Sequence, residues 1–144
     1  MKPTQGQPVL VAEPTPSHAR HLRSLLQQMR YRVCLATDCR EAIDVLRREA
    51  PAHAIVAVEL ATNGEPLLAG LARLPALDHL IGTGPGGEPA SEITARRAGA
   101  TAYLARPISA GPLAAALTAP RGRYEPVHNT VKGAGRCPEE TWNE

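Results

Sequence analysis

Five short apolar runs alternate with helical segments along most of the chain, and this alternation constrains the fold more than any other feature. The runs lie at residues 9–12, 32–36, 53–58, 80–81 and 102–105. The helical segments have apolar residues every three or four positions: one opens at Thr15-Pro16, and the others lie at about 38–50, 66–74, 91–98 and 110–117. Repeated strand–helix units of this length form a parallel sheet with helices on both faces. The sequence therefore predicts an α/β, doubly wound (βα)5 fold around a central five-stranded parallel sheet.

The composition fits a single globular domain. The 144 residues are 43% hydrophobic and 21% charged, with no Phe, so the core must be built from Leu, Val, Ile and Ala. The net charge of +2 is small and the basic residues are scattered, which argues against nucleic acid or a membrane as a partner. No apolar stretch approaches the roughly 18 residues of a membrane span. The cysteines at 34, 39 and 137 have no metal-binding or paired spacing, and residues 1–7 lack the apolar region of a signal peptide. We expect a reduced, cytoplasmic protein.

The periodic pattern covers only part of the chain. We expect a flexible N-terminus at 1–7, a folded domain at 8–118, and a flexible tail or linker at 119–144. From Pro120 onward Gly, Pro and charged residues alternate with isolated apolar ones, so the tail cannot bury much apolar surface alone.

Polar side chains follow four of the predicted strands at the point where each strand ends. Glu13, Glu59, Thr83 and Arg106 come after the first, third, fourth and fifth strands. Pro107 restricts the backbone of Arg106 to extended conformations and can hold a cis bond, which aims the basic side chain. Because ligand chemistry gathers at the carboxyl ends of parallel strands, these four residues are expected to converge on one pocket.

The segment around the last strand resembles a known family. Gly99-Ala100, Tyr103-Leu104 and Arg106-Pro107 are similar to the Gly-Ala-x-x-Tyr-Leu-x-Lys-Pro pattern of response-regulator receiver (CheY-like) domains. The resemblance extends over residues 8–118. It implies a flavodoxin-like fold and a site at which a histidine kinase phosphorylates an aspartate in the presence of Mg²⁺.

The chain departs from the family pattern at most positions of that site. Where the family has two adjacent acids, this chain has Glu13 and Pro14, and Glu59 stands at the place of the phosphoacceptor aspartate. Arg106 replaces the family's lysine. Only Thr83 and the aromatic switch position, Tyr103, are unchanged, so the resemblance implies a degenerate, pseudo-receiver variant.

The charges of these residues favour an internal ion pair over a metal. Arg106 can bind a carboxylate through two parallel hydrogen bonds without any cation, and Glu59 places its oxygens about 1.5 Å farther out than aspartate would. We expect no cofactor. If Mg²⁺ is retained, Glu13 and Glu59 are its ligands, although Mg²⁺ demands strict octahedral distances.

The leading hypothesis is a signalling module that acts by protein–protein contact and is not an enzyme. Its partner would be a histidine kinase, an output domain or a regulator, or a second copy in a homodimer, bound through the face around residues 91–117. That face would present Ser91, Glu92, Ala95, Thr101, Ala102, Leu113, Ala114 and Leu117. The alternatives are a working phosphoacceptor response regulator and a small anion- or ligand-binding domain that uses Arg106 and the glycine-rich loop.

Two further motifs have simpler interpretations. Residues 82–87 match G-x-G-x-x-G, but a dinucleotide fingerprint belongs after the first strand, so we interpret them as a mobile loop. His18 and His21 are three apart on a predicted helix, and we expect two exposed side chains there and not a metal site.

Overall fold

The computed structural model describes residues 6–62, 65–74, 77–119 and 125–126. The strands in this part of the chain are β1 (Pro8–Ala12), β2 (Arg32–Ala36), β3 (His53–Ala57), β4 (Ala61–Thr62), β5 (Glu65–Pro66), β6 (His79–Gly84), β7 (Ala102–Ala105) and β8 (Glu125–Pro126). The helices are α1 (Pro16–Gln28), α2 (Cys39–Glu49), α3 (Leu67–Leu71), α4 (Pro89–Ala98) and α5 (Ala110–Thr118).

The main sheet has the order β2-β1-β3-β6-β7-β8, and every neighbouring pair in it is parallel. Its five longer strands follow the 2-1-3-4-5 order of flavodoxin-like folds, which confirms the predicted fold class. The two-residue β8 is an addition that the sequence did not predict: Glu125 and Pro126 pair with Ala102 and Tyr103 along the edge of β7.

The core consists of two apolar layers, one on each face of the sheet. Along β1, Val9 and Val11 belong to the layer with α1 and α5, whereas Leu10 and Ala12 belong to the layer with α2, α3 and α4. All four are buried, as expected for a parallel strand covered by helices on both faces. The buried residues of these layers are Leu, Val, Ile and Ala, together with Tyr31 and Tyr103.

The helix ends follow local chemistry. The Asp38 side chain accepts a 2.8 Å hydrogen bond from the Glu41 amide and so caps α2. Gly99 ends α4 in the left-handed region at φ 109°, where a side chain would also be placed 2.6 Å from the Cβ of Ala72. Thr15 and Ser109 occupy the N-cap positions of α1 and α5, but their side chains make no capping bond.

The glycine-rich segment differs from the prediction. Residues 82–84 continue β6, so Thr83 lies inside the strand and not after it. The glycines there allow close packing: a Cβ on Gly82 would lie 2.9 Å from the Cβ of Ala95, and one on Gly84 would lie 2.5 Å from the hydroxyl of Tyr103. Helix α4 accordingly begins at Pro89 and not at Ser91.

The third helix is also shorter than predicted. Instead of a helix over 66–74, the chain forms the short antiparallel pair β4–β5 and then the five-residue α3. The predicted flexible segments at 1–7 and 119–144 lie outside the described residues, apart from Gly6, Gln7, Ala119 and β8. Among the described helices, none is long and apolar enough to cross a membrane.

Candidate functional site

The four residues predicted to converge do lie at the same edge of the sheet. Glu13 directly follows β1, Glu59 lies in the turn after β3, Thr83 is the penultimate residue of β6, and Arg106 directly follows β7. Two backbone bonds fix this edge: the Val58 amide donates to the Thr83 carbonyl at 2.9 Å, and the Arg106 amide donates to the Gly84 carbonyl at 2.8 Å.

The Arg106 guanidinium is the centre of the site. Its Nη1 and Nη2 donate to Oε2 and Oε1 of Glu59 at 3.0 and 2.8 Å, in a two-bond fork. The same Nη2 lies 3.4 Å from Oε1 of Glu13. The Arg106–Pro107 peptide bond is cis. One cation therefore bridges two carboxylates that come from different strands.

The two carboxylates have very different surroundings. The Glu13 side chain is only 2% exposed, whereas that of Glu59 is 46% exposed. The second oxygen of Glu13 accepts a 3.1 Å hydrogen bond from the Thr15 amide, and the Nδ1 of His18 lies 3.6 Å from it. The Glu13 carboxylate is thus stabilised by a few protein groups, whereas that of Glu59 is also stabilised by water.

The electrostatics of the pair follow from these contacts. Hydrogen bonds from Arg106 hold the pKa of Glu59 below its usual value, and Glu59 in turn raises the pKa of Arg106. Both groups are therefore charged at neutral pH. The cluster contains two carboxyl groups and one guanidinium, so its formal charge is −1.

Thr83 and Tyr103 complete the site without entering the ion pair. The Thr83 hydroxyl is buried and has no hydrogen-bond partner among the described residues. The Tyr103 ring is turned into the fold and its hydroxyl lies 3.5 Å from the Pro85 carbonyl, at the limit of a hydrogen bond. Burial raises the pKa of Tyr103, so its hydroxyl is neutral at physiological pH.

The donor set does not fit Mg²⁺. A guanidinium nitrogen lies within 3.4 Å of both carboxylates, where a divalent cation would have to bind. Pro14 supplies no side-chain oxygen. In the described ranges, no group of three or more His, Cys, Asp or Glu side chains could hold a metal ion. Arg106 therefore occupies the carboxylate oxygens that Mg²⁺ would need as its protein ligands.

The two histidines of α1 do not act together. His21 bonds to the Ile108 carbonyl at 2.7 Å through its Nε2, whereas His18 lies beside Glu13. Both line a cavity of about 340 Å³ next to Arg106, together with Glu13, Ser17, Leu22, Pro107 and Ile108. The contact between His18 and Glu13 was not predicted from the sequence, although His18 lies in the first turn of the helix that Glu13 precedes.

The expected docking face needs correction. Ser91, Ala95, Ala102, Leu113 and Leu117 are buried in the domain and present nothing to a partner. Of the eight residues expected there, Glu92 and Thr101 are half-buried and Ala114 is exposed. The outer surface of α4 and α5 is formed instead by residues such as Ile93, which is 38% exposed, Arg97 and Ala115.

No family model and no curated protein matches this chain by sequence. Solved structures do match. The signal receiver domain of a modulated diguanylate cyclase from Desulfovibrio desulfuricans has a TM-score of 0.67 at 24% identity, over 78% of this chain and 91% of that domain. The chemotaxis response regulator CheY4 of Vibrio cholerae has a TM-score of 0.65 at 19% identity, over 78% of this chain and 97% of that one.

A third similar structure is a complex. The receiver domain of a Saccharomyces cerevisiae response regulator, crystallised with its histidine phosphotransfer protein, has a TM-score of 0.63 at 16% identity, over 78% of this chain and 87% of that one. At these identities the similarity defines the fold: the chain has the CheY-like fold of receiver domains.

Proposed function

We propose that this chain is a receiver-like signalling module of a two-component or related bacterial regulatory system. In this proposal it acts by protein–protein contact, and its phosphorylation is lost or impaired. The CheY-like fold supports the general role. The observation that carries the finer part is the fork between Arg106 and Glu59.

The fork works against phosphorylation of Glu59 in two ways. Both carboxylate oxygens accept hydrogen bonds from Arg106, and these charged bonds lower the nucleophilicity of Glu59 towards a phosphoryl donor. The guanidinium also stays protonated at any physiological pH, so the pair cannot be opened by loss of its proton. A site held in this way stays in one state, and information would pass through the binding of a partner.

The proposed partner is a protein: a histidine kinase, an output domain or a regulator. The yeast receiver domain that resembles this chain is bound to a phosphotransfer protein, which supports a protein partner in general. We propose that the partner contacts the exposed residues of the face around 91–117. A second copy of the chain could dock on the same face in a homodimer, because its small side chains allow close approach. We propose neither nucleic acid nor a membrane as a partner, no catalytic activity, and a cytoplasmic location.

Two alternatives have support of their own. A working phosphoacceptor would use Glu59 and tolerate one missing metal ligand. An anion-binding domain of the same fold is favoured by three buried polar atoms at the site, the Thr83 hydroxyl, the Nε of Arg106 and the Nδ1 of His18, which have no hydrogen-bond partner among the described residues. A hydroxyl and a guanidinium N–H are donors of the kind that an oxyanion accepts hydrogen bonds from.

Amide ¹⁵N–¹H spectra separate these functions. The full chain is recorded alone, with Mg²⁺, with Mg²⁺ and beryllofluoride, and with inorganic phosphate alone. We expect no spreading shifts in any of them. Shifts from Glu59 to Tyr103 that need Mg²⁺ and beryllofluoride would show a working acceptor, and shifts with phosphate alone would show an anion site.

A restored variant is the matched control. Replacing Pro14→Asp, Glu59→Asp and Arg106→Lys together returns the family's residue types to the site. This variant is expected to respond to Mg²⁺ and beryllofluoride under the same conditions. If the natural chain responds as strongly as the restored one, the phosphorylation-impaired reading is wrong.

A further inference from the structure

A buried histidine pair lies at the amino-terminal ends of the strands, whereas the ion pair lies at their carboxyl ends. His53 begins β3 and His79 begins β6, and the two are register partners in the parallel ladder. Their side chains are buried, with exposed fractions of 7% and 6%. Neither takes part in the site described above.

The hydrogen bonds of the pair run in one direction. The Nε2 of His79 lies 2.6 Å from the Ala119 carbonyl oxygen, and since a carbonyl can only accept, this nitrogen carries a hydrogen. Neutral His79 therefore has a bare Nδ1. The Nδ1 of His53, 3.0 Å away, must donate to it. The resulting chain runs from His53 to His79 to the backbone of Ala119.

This arrangement can accept one proton but not two. A proton on the Nε2 of His53 leaves both hydrogen bonds in place but puts a charge in a buried position. A second proton, on the Nδ1 of His79, would set two N–H groups against each other at 3.0 Å, so the pair would have to separate.

The groups around the pair do not offset a positive charge fully. The ring of Tyr31 meets His53 edge-on at 5.8 Å and is neutral. The Asp78 carboxylate favours the charged form of His53, but burial and the neighbouring His79 outweigh it and lower the pKa of His53 to about 4. His53 is therefore neutral at neutral pH, with its Nδ1 hydrogen donated to His79.

Ala119 lies at the C-terminal end of α5. It is the C-cap of α5, and the next described residues, Glu125–Pro126, pair with Ala102 and Tyr103 at the edge of β7. We propose that His53 and His79 form a proton-sensitive latch that holds the end of α5 at neutral pH and releases it on acidification.

The size of the effect follows from linkage. If opening returns His53 to a pKa of 6.5 from about 4, the opening equilibrium at pH 5 is favoured about 30-fold over that at pH 8. The test is amide hydrogen exchange of the full chain between pH 8 and pH 5, corrected for intrinsic rates. Protection in the last turn of α5 should fall about 30-fold, while the amides of α2 should change much less.

Two variants and one spectrum make the test decisive. His79→Leu should leave the end of α5 poorly protected at every pH, whereas His21→Gln, which alters a histidine–carbonyl bond at Ile108, should keep the pH response. Imidazole ¹⁵N spectra of the natural chain should show a protonated Nδ1 on His53 and a bare Nδ1 on His79. The opposite tautomers, pH-independent protection of α5, or an unchanged response in His79→Leu would each overturn the proposal.

Discussion

Replacing Arg106 should cost much more stability than replacing its closest partner, Glu59. Arg106→Met removes the guanidinium that lies 3.4 Å from Glu13 and leaves a carboxylate that is 2% exposed, with the Nδ1 of His18 at 3.6 Å. Glu59→Gln instead neutralises a side chain that is almost half exposed and can rely on water.

The magnitudes follow from these environments. Breaking a buried ion pair by removing one partner costs about 3–5 kcal/mol. Glu13 keeps the bond from the Thr15 amide, and its 3.4 Å contact with Arg106 is long, so we expect about 2–3 kcal/mol for Arg106→Met. An exposed pair contributes about 0.2–1 kcal/mol, which sets the expected cost of Glu59→Gln.

A double variant isolates the cause. Glu13→Gln removes the buried charge, so adding it to Arg106→Met should recover at least about 1 kcal/mol relative to Arg106→Met alone. The measurement is urea unfolding at pH 7 followed by far-ultraviolet circular dichroism, with the slope required to stay constant across the variants.

Equal costs for Arg106→Met and Glu59→Gln would refute this reasoning, because they would mean that the exposed fork carries the energy. Failure of Glu13→Gln to recover any stability would refute it as well. In that case the loss in Arg106→Met would come from packing of the arginine stem and not from an unpaired carboxylate.

Three further predictions concern the fold. Gly99→Ala should destabilise by about 1–3 kcal/mol in urea unfolding, because it combines a positive φ with a 2.6 Å approach to Ala72, and a gain in stability would contradict the assigned C-cap. Asp38→Ala should cost about 1 kcal/mol, whereas Thr15→Ala should cost clearly less because its side chain makes no capping bond; equal losses would refute the difference. The free energy of unfolding should fall as the pH drops from 6.5 towards 4, because the unfolded chain binds a proton on His53 at a higher pH than the folded chain does. The change in this free energy with pH has a ceiling of about 1.4 kcal/mol per pH unit for one group, and partial solvation of His53 should reduce it. In His53→Phe the dependence of the unfolding free energy on pH should become weaker.

Much of the fold could be predicted because the pattern of apolar residues is local. The alternation of strand and helix patterns predicted the sheet, and the observed helix ends at Asp38 and Gly99 follow from the local chemistry of these two residues. The extension of β6 could not be predicted in this way. Glycine normally indicates a loop, and only the positions of Ala95 and Tyr103 explain why Gly82 and Gly84 lie within a strand.

The errors on the docking face have a similar cause. Helix α5 is rich in alanine, so its apolar pattern has little contrast between the buried and exposed sides. Leu113 and Leu117 were therefore assigned to the surface, while the structure buries both of them against the sheet. The His53–His79 pair escaped prediction for another reason: the two residues are 26 positions apart, and only strand register joins them.

The geometry of the site indicates that Glu59 and Arg106 depend on each other. Arginine is the one side chain whose rigid fork can hold Glu59 with two bonds while the same nitrogen reaches Glu13. A lysine in its place offers a single compact charge, which could not keep the fork and the contact with Glu13 at once. A glutamate is also long enough to meet the fork from the turn after β3. The two departures from the receiver pattern therefore compensate each other. A variant that reverts only one of them should have a lower free energy of unfolding than a variant that reverts both.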